Sequence, residues 1–196
     1  MSNPVRILGL AGSLRQASYN RAAVRAAGTL LPAGATLEIF DLHGLPGFSE
    51  DDEKSTPAKI VELKQRIRAA DALLFATPEY NYSVPGVLKN AIDWASRPYG
   101  DSAWGGKPAA IMGASVGAGA TMRAQYHLRQ IFVYLDIHAL NQPEVMIGNA
   151  SSRFDASGNL TDDGTRERIR KLLEALVAWT RQLRGEGAGI GAGAGR

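Results

Sequence analysis

Short apolar runs alternate along the chain with longer stretches in which apolar residues recur every three or four positions. The apolar runs of strand length lie at 5–11, 35–42, 71–78, 107–115 and, as one short final strand, within 138–147. The stretches with helical period lie at 19–31, after Thr56, after Pro85, at 119–136 and after Thr161. Five strands with helices between and after them predict an α/β fold, in which a parallel sheet is covered by helices on both faces.

Capping residues predict where two of these helices begin. Thr56 followed by Pro57 has the pattern of an N-cap and a first helical residue. Thr161 is expected to cap the last helix, with Asp162 and Asp163 in its first turn. Both helices are therefore expected to start at a threonine.

Two further groups of residues receive structural interpretations. The acidic run 50–53 lies in a predicted loop, 43–55, and is expected to be a solvated surface. Trp94 and Trp104 flank the connection between the third helix and the fourth strand, and are expected to pack in the core or in a dimer interface. Neither group is predicted to carry the chemistry.

Composition narrows the class of protein. The 196 residues suit one domain, taken as 1–184, and the Gly- and Ala-rich segment 185–196 is expected to be a flexible tail. The absence of cysteine excludes disulfides and thiolate chemistry, and the three histidines lack metal-ligand spacing, so no metal site is predicted. No signal peptide or membrane-spanning run is recognised, so a cytoplasmic location is expected. A net charge of +3 favours anionic small molecules and is too weak to indicate nucleic acid.

The segment "GSLRQASYN" follows the first strand and suggests a phosphate site. Ser13, Arg15, Ser18 and Asn20 supply hydroxyl, guanidinium and amide donors, and the loop supplies backbone amides at the start of a helix. It is neither a Walker loop nor a G-x-G-x-x-G motif, so one terminal phosphate fits better than a pyrophosphate. A simple helix cap with a solvated arginine is the alternative.

Two more polar loops follow the third and fourth strands, "PEYNYSVPG" and "GASVGAGAT". The first has amides and aromatic rings that suit a planar, partly polar ligand, although its tyrosines could equally pack against neighbouring residues. In the second, Gly113, Gly117 and Gly119 allow close approach of backbone to a ligand, or simply form a flexible connection. Ligands of open parallel sheets bind at the carboxyl ends of strands, so the three loops are expected to form one site.

These same segments carry a family resemblance. "GSLRQASYN", "TPEYNYSVPGVLKNAIDWASRP" and "MGASVGAGATMRAQYHLRQIF" resemble the NADPH-dependent FMN reductases, in particular the quinone and chromate reductases. The resemblance extends over about residues 5–182 and implies a flavodoxin-like three-layer sandwich with strand order 2-1-3-4-5. It also implies FMN as the cofactor, whose single phosphate would occupy the first loop.

The resemblance assigns roles to individual positions. By position, the FMN phosphate contacts are Ser13, Arg15, Ser18 and Asn20. The segment along the flavin ring is Pro78, Glu79, Tyr80 and Asn81, expected to act through backbone amides and the Asn81 side chain, and Ser115 and Gly117 lie near the other side of the ring. No side chain is expected to be catalytic, because the redox chemistry belongs to the cofactor.

The function implied is an NAD(P)H-dependent oxidoreductase that reduces quinones or related acceptors such as chromate, nitro or azo compounds, or free flavin. NAD(P)H and the acceptor are expected to use the site in turn, by hydride transfer in a ping-pong scheme. The protein is expected to form a homodimer or homotetramer, with no nucleic-acid partner. Two alternatives stay open, a non-enzymatic flavodoxin-type electron carrier and a flavin-dependent regulatory protein. The sequence does not choose between NADPH and NADH.

Overall fold

The computed structural model describes residues 3–185, so the predicted tail lies outside the described residues apart from Gly185. The strands are β1 (Val5–Ala11), β2 (Ala35–Phe40), β3 (Ala72–Ala76), β4 (Pro108–Ala114), β5 (His138–Ala139) and β6 (Val145–Ile147). The helices are α1 (Tyr19–Gly28), α2 (Ala58–Ala69), α3 (Gly86–Ala95), α4 (Met122–Tyr134) and α5 (Asp163–Leu183). Two short 3-10 helices lie at Glu50–Ser55 and Ala150–Ser152.

The strands form one parallel sheet in the order β2-β1-β3-β4-β5, with β6 also paired to β4. This confirms the predicted flavodoxin-like fold and strand order. The final strand is split, since β5 pairs with the start of β4 and β6 pairs with its end. The intervening segment contains Pro143, which has no N–H to donate to a sheet, and this explains the interruption of the predicted single strand.

Alternate residues of the strands enter two separate core layers. Ile7 and Leu74 belong to the layer under α1 and α5, whereas Leu8 and Phe75 belong to the layer under α2, α3 and α4. Both layers are almost completely buried. The side-chain period of two along a strand therefore explains why the central strands are apolar throughout, because each face needs its own cover.

The predicted helix caps are each displaced by one residue. Pro57, rather than Thr56, occupies the N-cap of α2, and the Thr56 hydroxyl instead donates to the carbonyl of Glu53 at 3.0 Å. Asp162, rather than Thr161, caps α5, and its carboxylate accepts a hydrogen bond from the Thr165 amide at 2.7 Å. A carboxylate at this position also interacts favourably with the positive end of the helix dipole, which explains the preference for aspartate.

The acidic run and the two tryptophans are more integrated than the sequence predicted. The acidic run forms part of a 3-10 helix rather than a loop, and Glu50 and Glu53 both bind Arg97, at 3.1 and 2.5 Å. Trp94 and Trp104 are buried within the single chain, with exposed fractions of 1% and 0%. Of the two roles expected for the tryptophans, core packing is therefore the one observed.

Candidate functional site

The three polar loops meet at the carboxyl edge of the sheet around a cavity of about 160 Å³. Most of the residues predicted for the site line this cavity, namely Ser13, Arg15, Ser18, Asn20, Pro78, Glu79, Tyr80 and Ser115. Asn81 and Gly117 do not line it, although both lie in the loops that form it. The topology explains the meeting, because β1, β3 and β4 are neighbours in the sheet and run in the same direction.

One end of the cavity is built as an anion site by the start of α1. Ser18 caps the helix by accepting a hydrogen bond from the Arg21 amide at 3.4 Å. The next two amides, of Tyr19 and Asn20, have no acceptor among residues 3–185. The Arg15 guanidinium has no carboxylate partner in the same range. Free amides at a helix N-terminus beside a free guanidinium favour a bound phosphate.

Asn20 has a different role from the one carried over by resemblance. Its side chain is buried, and its amide group donates to the Ala114 carbonyl at 2.9 Å and accepts from the Ala114 amide at 2.8 Å. The side chain thus joins the first loop to the end of β4. We interpret Asn20 as a residue that holds the site together, and its backbone amide remains available to an anion while its side-chain NH2 donates to Ala114.

The second loop forms a tight hairpin. Tyr80 and Ser83 exchange two backbone hydrogen bonds, at 3.0 and 3.1 Å, and the two residues between them, Asn81 and Tyr82, have φ angles of 50° and 68°. Two consecutive positive φ angles are typical of a type I′ turn, for which asparagine is a favoured residue. The Tyr80 amide therefore donates within the turn and is not available to the flavin ring, contrary to the expectation. The amides of Glu79 and Asn81 have no acceptor among the described residues.

Glu79 anchors this hairpin to α4. Its buried carboxylate accepts hydrogen bonds from the backbone amides of Arg123 and Ala124, at 2.9 and 3.2 Å, and forms an ion pair with the Arg123 guanidinium. The same guanidinium lies 3.6 Å from the centre of the Tyr82 ring. Burial raises the pKa of the Glu79 carboxyl, but these hydrogen bonds outweigh burial and hold its pKa below the ordinary value. Glu79 therefore positions the loop through its side chain.

The third loop contributes one polar and one apolar surface to the cavity. Ser115 is half-buried, and its hydroxyl accepts from the Gly117 amide at 3.3 Å, while the neighbouring Val116 is 65% exposed. Gly113 serves the protein rather than a ligand, because a Cβ there would lie 2.0 Å from the Thr121 hydroxyl oxygen. Gly117 and Gly119 have no such crowding. The exposed valine beside the hydroxyl suits the edge and face of a planar ring.

Sequence reasoning missed several residues of the site. Tyr19 and Val116 line the cavity, and both are immediate neighbours of predicted residues, so the loop sequence contained the signal. Arg123 was not among the residues predicted for the site, yet it fixes Glu79 from a position 44 residues away. No local pattern reveals such a contact.

A larger cavity lies elsewhere. It has a volume of about 550 Å³ and lies between the ends of α3 and α4, beside Arg97, Tyr99 and Tyr134. None of the predicted site residues lines it. Because the segment that precedes a parallel strand lies at its amino end, this cavity is at the opposite edge of the sheet from the three loops. We assign the site to the smaller cavity, where free amides and a free guanidinium converge.

Comparisons with known proteins agree with this geometry. Residues 5–152 match the family model described as NADPH-dependent FMN reductase. An NAD(P)H-dependent FMN reductase of Pseudomonas aeruginosa is 55% identical over 94% of this chain and 100% of its own length. A 2-hydroxy-1,4-benzoquinone reductase of a Burkholderia species is 47% identical, over 92% of this chain and 98% of its own.

A solved structure of a flavoenzyme has a similar fold. The flavoenzyme NAD(P)H:(acceptor) oxidoreductase FerB of Paracoccus denitrificans superimposes with a TM-score of 0.83 at 34% identity, covering 90% of this chain and 97% of that one. The family model covers most of the chain, including all three loops of the site. The chain therefore belongs to the NADPH-dependent FMN reductase family.

Proposed function

We propose that this protein holds FMN at the carboxyl edge of its sheet and uses NAD(P)H to reduce quinone-type acceptors. The family assignment and the named relatives confirm the predicted class, an NAD(P)H-dependent oxidoreductase of the FMN reductase type. One observation carries the proposal for the site: an anion site and a partly apolar slot lie in a single cavity. These are the two parts that a phosphorylated ring system requires.

The residues present fit FMN. Arg15, the Ser13 and Ser18 hydroxyls and the first amides of α1 would hold the phosphate, since this end of the cavity offers donors and no free carboxylate. The ring would lie between the Pro78–Tyr80 segment and Val116, with Ser115 at its edge. Bound there, FMN supplies a ring nitrogen that accepts hydride and returns electrons to an acceptor. The protein then supplies binding and orientation.

The open side of the slot supports the predicted alternation of substrates. Tyr80 is 51% exposed and Val116 is 65% exposed, so one wall and the rim of the slot are reachable from solvent. We propose that this open side takes one substrate ring at a time above the flavin, so that NAD(P)H leaves before the acceptor enters. No histidine, cysteine or lysine lines the cavity. Solvent would therefore protonate the reduced quinone.

Two measurements test the proposed function. The purified protein should take up added FMN and release it unchanged on denaturation, as chromatography of the released flavin would establish. NADPH or NADH alone should then bleach the yellow colour, and a quinone should restore it. A protein that binds FMN but needs a separate reductase to bleach it would be an electron carrier of the flavodoxin type instead.

Initial rates address the order of the substrates. With the donor varied at several fixed quinone concentrations, double-reciprocal plots should give parallel lines. An intersecting pattern would show that both substrates bind together, which would contradict a shared space above the ring. The same assay, with chromate, nitro and azo compounds as acceptors, tests the finer predictions from the sequence. The cytoplasmic location stays a prediction that cell fractionation would test.

The resemblance implied a homodimer or homotetramer, and we also propose that two copies pair through α4. Met122, Tyr126 and Val133 form one stripe of this helix and are 46%, 50% and 83% exposed. Apolar side chains that are exposed in line are typical of a surface covered by a partner. Light scattering should give twice the chain mass, or four times if dimers pair further, and Val133→Glu should shift the mass towards one chain. An active monomer at assay concentration would contradict this proposal.

A further inference from the structure

A groove continues from the anion end of the site along the outer side of α1. A cavity of about 220 Å³ shares Arg15, Ser18 and Tyr19 with the site. A further cavity of about 270 Å³ shares Arg25 with the 220 Å³ cavity and is lined at its other end by Arg166 of α5. The shared lining places these cavities side by side along α1, starting where the FMN phosphate is proposed to lie.

Three arginines line this groove without a carboxylate partner. Across residues 3–185, no ion pair involves Arg15, Arg25 or Arg166. Arg25 lies on the exposed side of α1, and Arg166 makes only a hydrogen bond to the Leu160 carbonyl, at 3.3 Å. Most other arginines of the described chain are paired, so the groove concentrates uncompensated positive charge.

The opposite wall of the groove is shaped around Arg25. Gly158 has a φ of 78°, and a Cβ there would lie 3.2 Å from a guanidinium nitrogen of Arg25. The Arg25 guanidinium therefore lies close against the backbone of this wall. The one carboxylate in this wall, Asp155, accepts hydrogen bonds from the Asn159 backbone amide at 2.8 Å and from its side chain at 2.9 Å. Among the described residues, the Asp155 carboxylate is held within its own turn and forms no ion pair with Arg25, and it leaves one negative charge beside the three arginines.

The length of the donor indicates what the groove could hold. NADPH is a dinucleotide and FMN a mononucleotide, so a donor that stacks its nicotinamide on the flavin ring and runs alongside the FMN chain must extend past the FMN phosphate. The continuation of the cavity at that point is this groove. NADPH differs from NADH by one dianionic phosphate on the adenosine ribose, and arginine is well suited to bind it.

We propose that the groove binds the adenosine 2′-phosphate of NADPH, with Arg25 as the main contact and Arg166 as the second. The proposal rests on the proposed function, since it takes NAD(P)H as the donor. It makes Arg25 a residue that determines donor specificity, and it predicts that NADPH is preferred to NADH.

Donor kinetics of the FMN-loaded protein test this assignment. Arg25→Ala should raise KM for NADPH about tenfold, as expected for the loss of a charge-assisted contact, while KM for NADH and kcat with either donor stay unchanged. Arg166→Ala should raise KM for NADPH less, and Arg25→Lys should restore part of the wild-type value. Equal changes for the two donors, or no change for NADPH, would overturn the proposal.

Arg21→Ala is the matched control. Arg21 lies one turn before Arg25 on the same helix but points to the other side, where it pairs with Asp41 at 3.2 Å. Its removal takes one positive charge from α1 without touching the groove, so KM for NADPH should stay near the wild-type value. A rise with Arg21→Ala that matches or exceeds the rise with Arg25→Ala would place the phosphate outside the groove and overturn the assignment.

A binding measurement separates this proposal from the proposed function. Adenosine 2′,5′-bisphosphate should bind the wild-type protein more tightly than adenosine 5′-phosphate, and Arg25→Ala should remove that difference, as calorimetry would show. Equal binding of the two nucleotides to the wild type would overturn the groove assignment even if the enzyme were active. Failure of both NADPH and NADH to reduce the FMN-loaded protein would instead refute the proposed function, and the calorimetry would still decide the groove.

Discussion

At the amino edge of the sheet the charged side chains bind one another, whereas at the carboxyl edge Arg15 lines a cavity and forms no ion pair with another described residue. The Asp71 carboxylate accepts from the Arg6 backbone amide at 2.8 Å and pairs with the guanidinium groups of Arg6 and Arg184. Lys64 pairs with Asp101 at 2.6 Å. At the other edge, the centre of the Tyr19 ring lies 5.7 Å from the Arg15 guanidinium carbon.

The pKa values of two residues at the amino edge reflect these contacts. Burial raises the pKa of Asp71, but its hydrogen bonds and ion pairs with Arg6 and Arg184 outweigh burial, so the pKa is lowered overall. Lys107 behaves differently, because burial lowers its pKa even though its ammonium group donates to the carbonyls of Arg68 and Ala70. The lowered pKa of Asp71 means that its ion pairs and hydrogen bonds stabilise the fold at neutral pH. Charges that are left open at one edge are available for a ligand.

The first prediction concerns the exception to this comparison, a carboxyl-edge residue that acts on the fold. Asn20→Ala leaves the amide and carbonyl of Ala114 buried without partners, and each such loss costs about 1–3 kcal/mol. We expect the free energy of unfolding to fall by about 2–4 kcal/mol in urea denaturation. Asn141→Ala, at an exposed asparagine, is the control and should change stability by under about 0.5 kcal/mol. Unchanged stability with Asn20→Ala would show that Asn20 does not join the loops.

The second prediction concerns ligand binding at the carboxyl edge. Arg15→Ala should weaken FMN binding by about 1.5–3 kcal/mol, the usual contribution of a hydrogen bond to a charged group, with little change in the unfolding of the apoprotein. Fluorescence titration with FMN and with riboflavin would measure it. Riboflavin has no phosphate, so its affinity should stay near the wild-type value. An equal loss for both flavins would mean that Arg15 acts through the fold.

The third prediction concerns the amino edge, where a substitution should reduce stability and leave FMN binding unchanged. Asp71→Asn removes the charge that Arg6 and Arg184 bind, and should lower the free energy of unfolding by about 1–2 kcal/mol, a modest value because both arginines remain partly solvated. FMN affinity should not change, because Asp71 lies at the other end of the strands. A loss of FMN affinity comparable to that of Arg15→Ala would break the proposed division between the edges.

The fourth prediction, with the smallest effect, is a pH dependence. The pKa of Glu79 is lowered in the folded protein, so its contribution to stability is complete above the ordinary glutamate value of about 4.3 and is lost as pH falls through the lowered value. Glu79→Gln should reduce stability by under about 1 kcal/mol at neutral pH, and the difference from wild type should vanish in acid. Thermal unfolding at several pH values would measure it. A difference that persists at the lowest pH would assign the effect to packing instead.

The order of elements and the position of the site were predictable because both depend on local patterns. The alternation of apolar runs with helical periods identifies the strands and helices, and the polar loops after the first, third and fourth strands must share one edge if these strands are parallel neighbours. The motif around Glu79 and Tyr80 led to the family. None of this requires knowledge of which side chains touch.

Partner choice was decided only by the tertiary structure. Asn20 binds Ala114, which is 94 residues away, and Glu79 binds Arg123, which is 44 residues away. A hydrogen bond depends on distance and direction to within a fraction of an ångström, and these follow from how β4 and α4 pack against the loops. Sequence alone offers Asn20 several equally suitable acceptors and donors. The same reason explains why Arg15 and Arg25 stay free while Arg6 is paired: residue type determines which contacts are possible, and packing determines which of them are made.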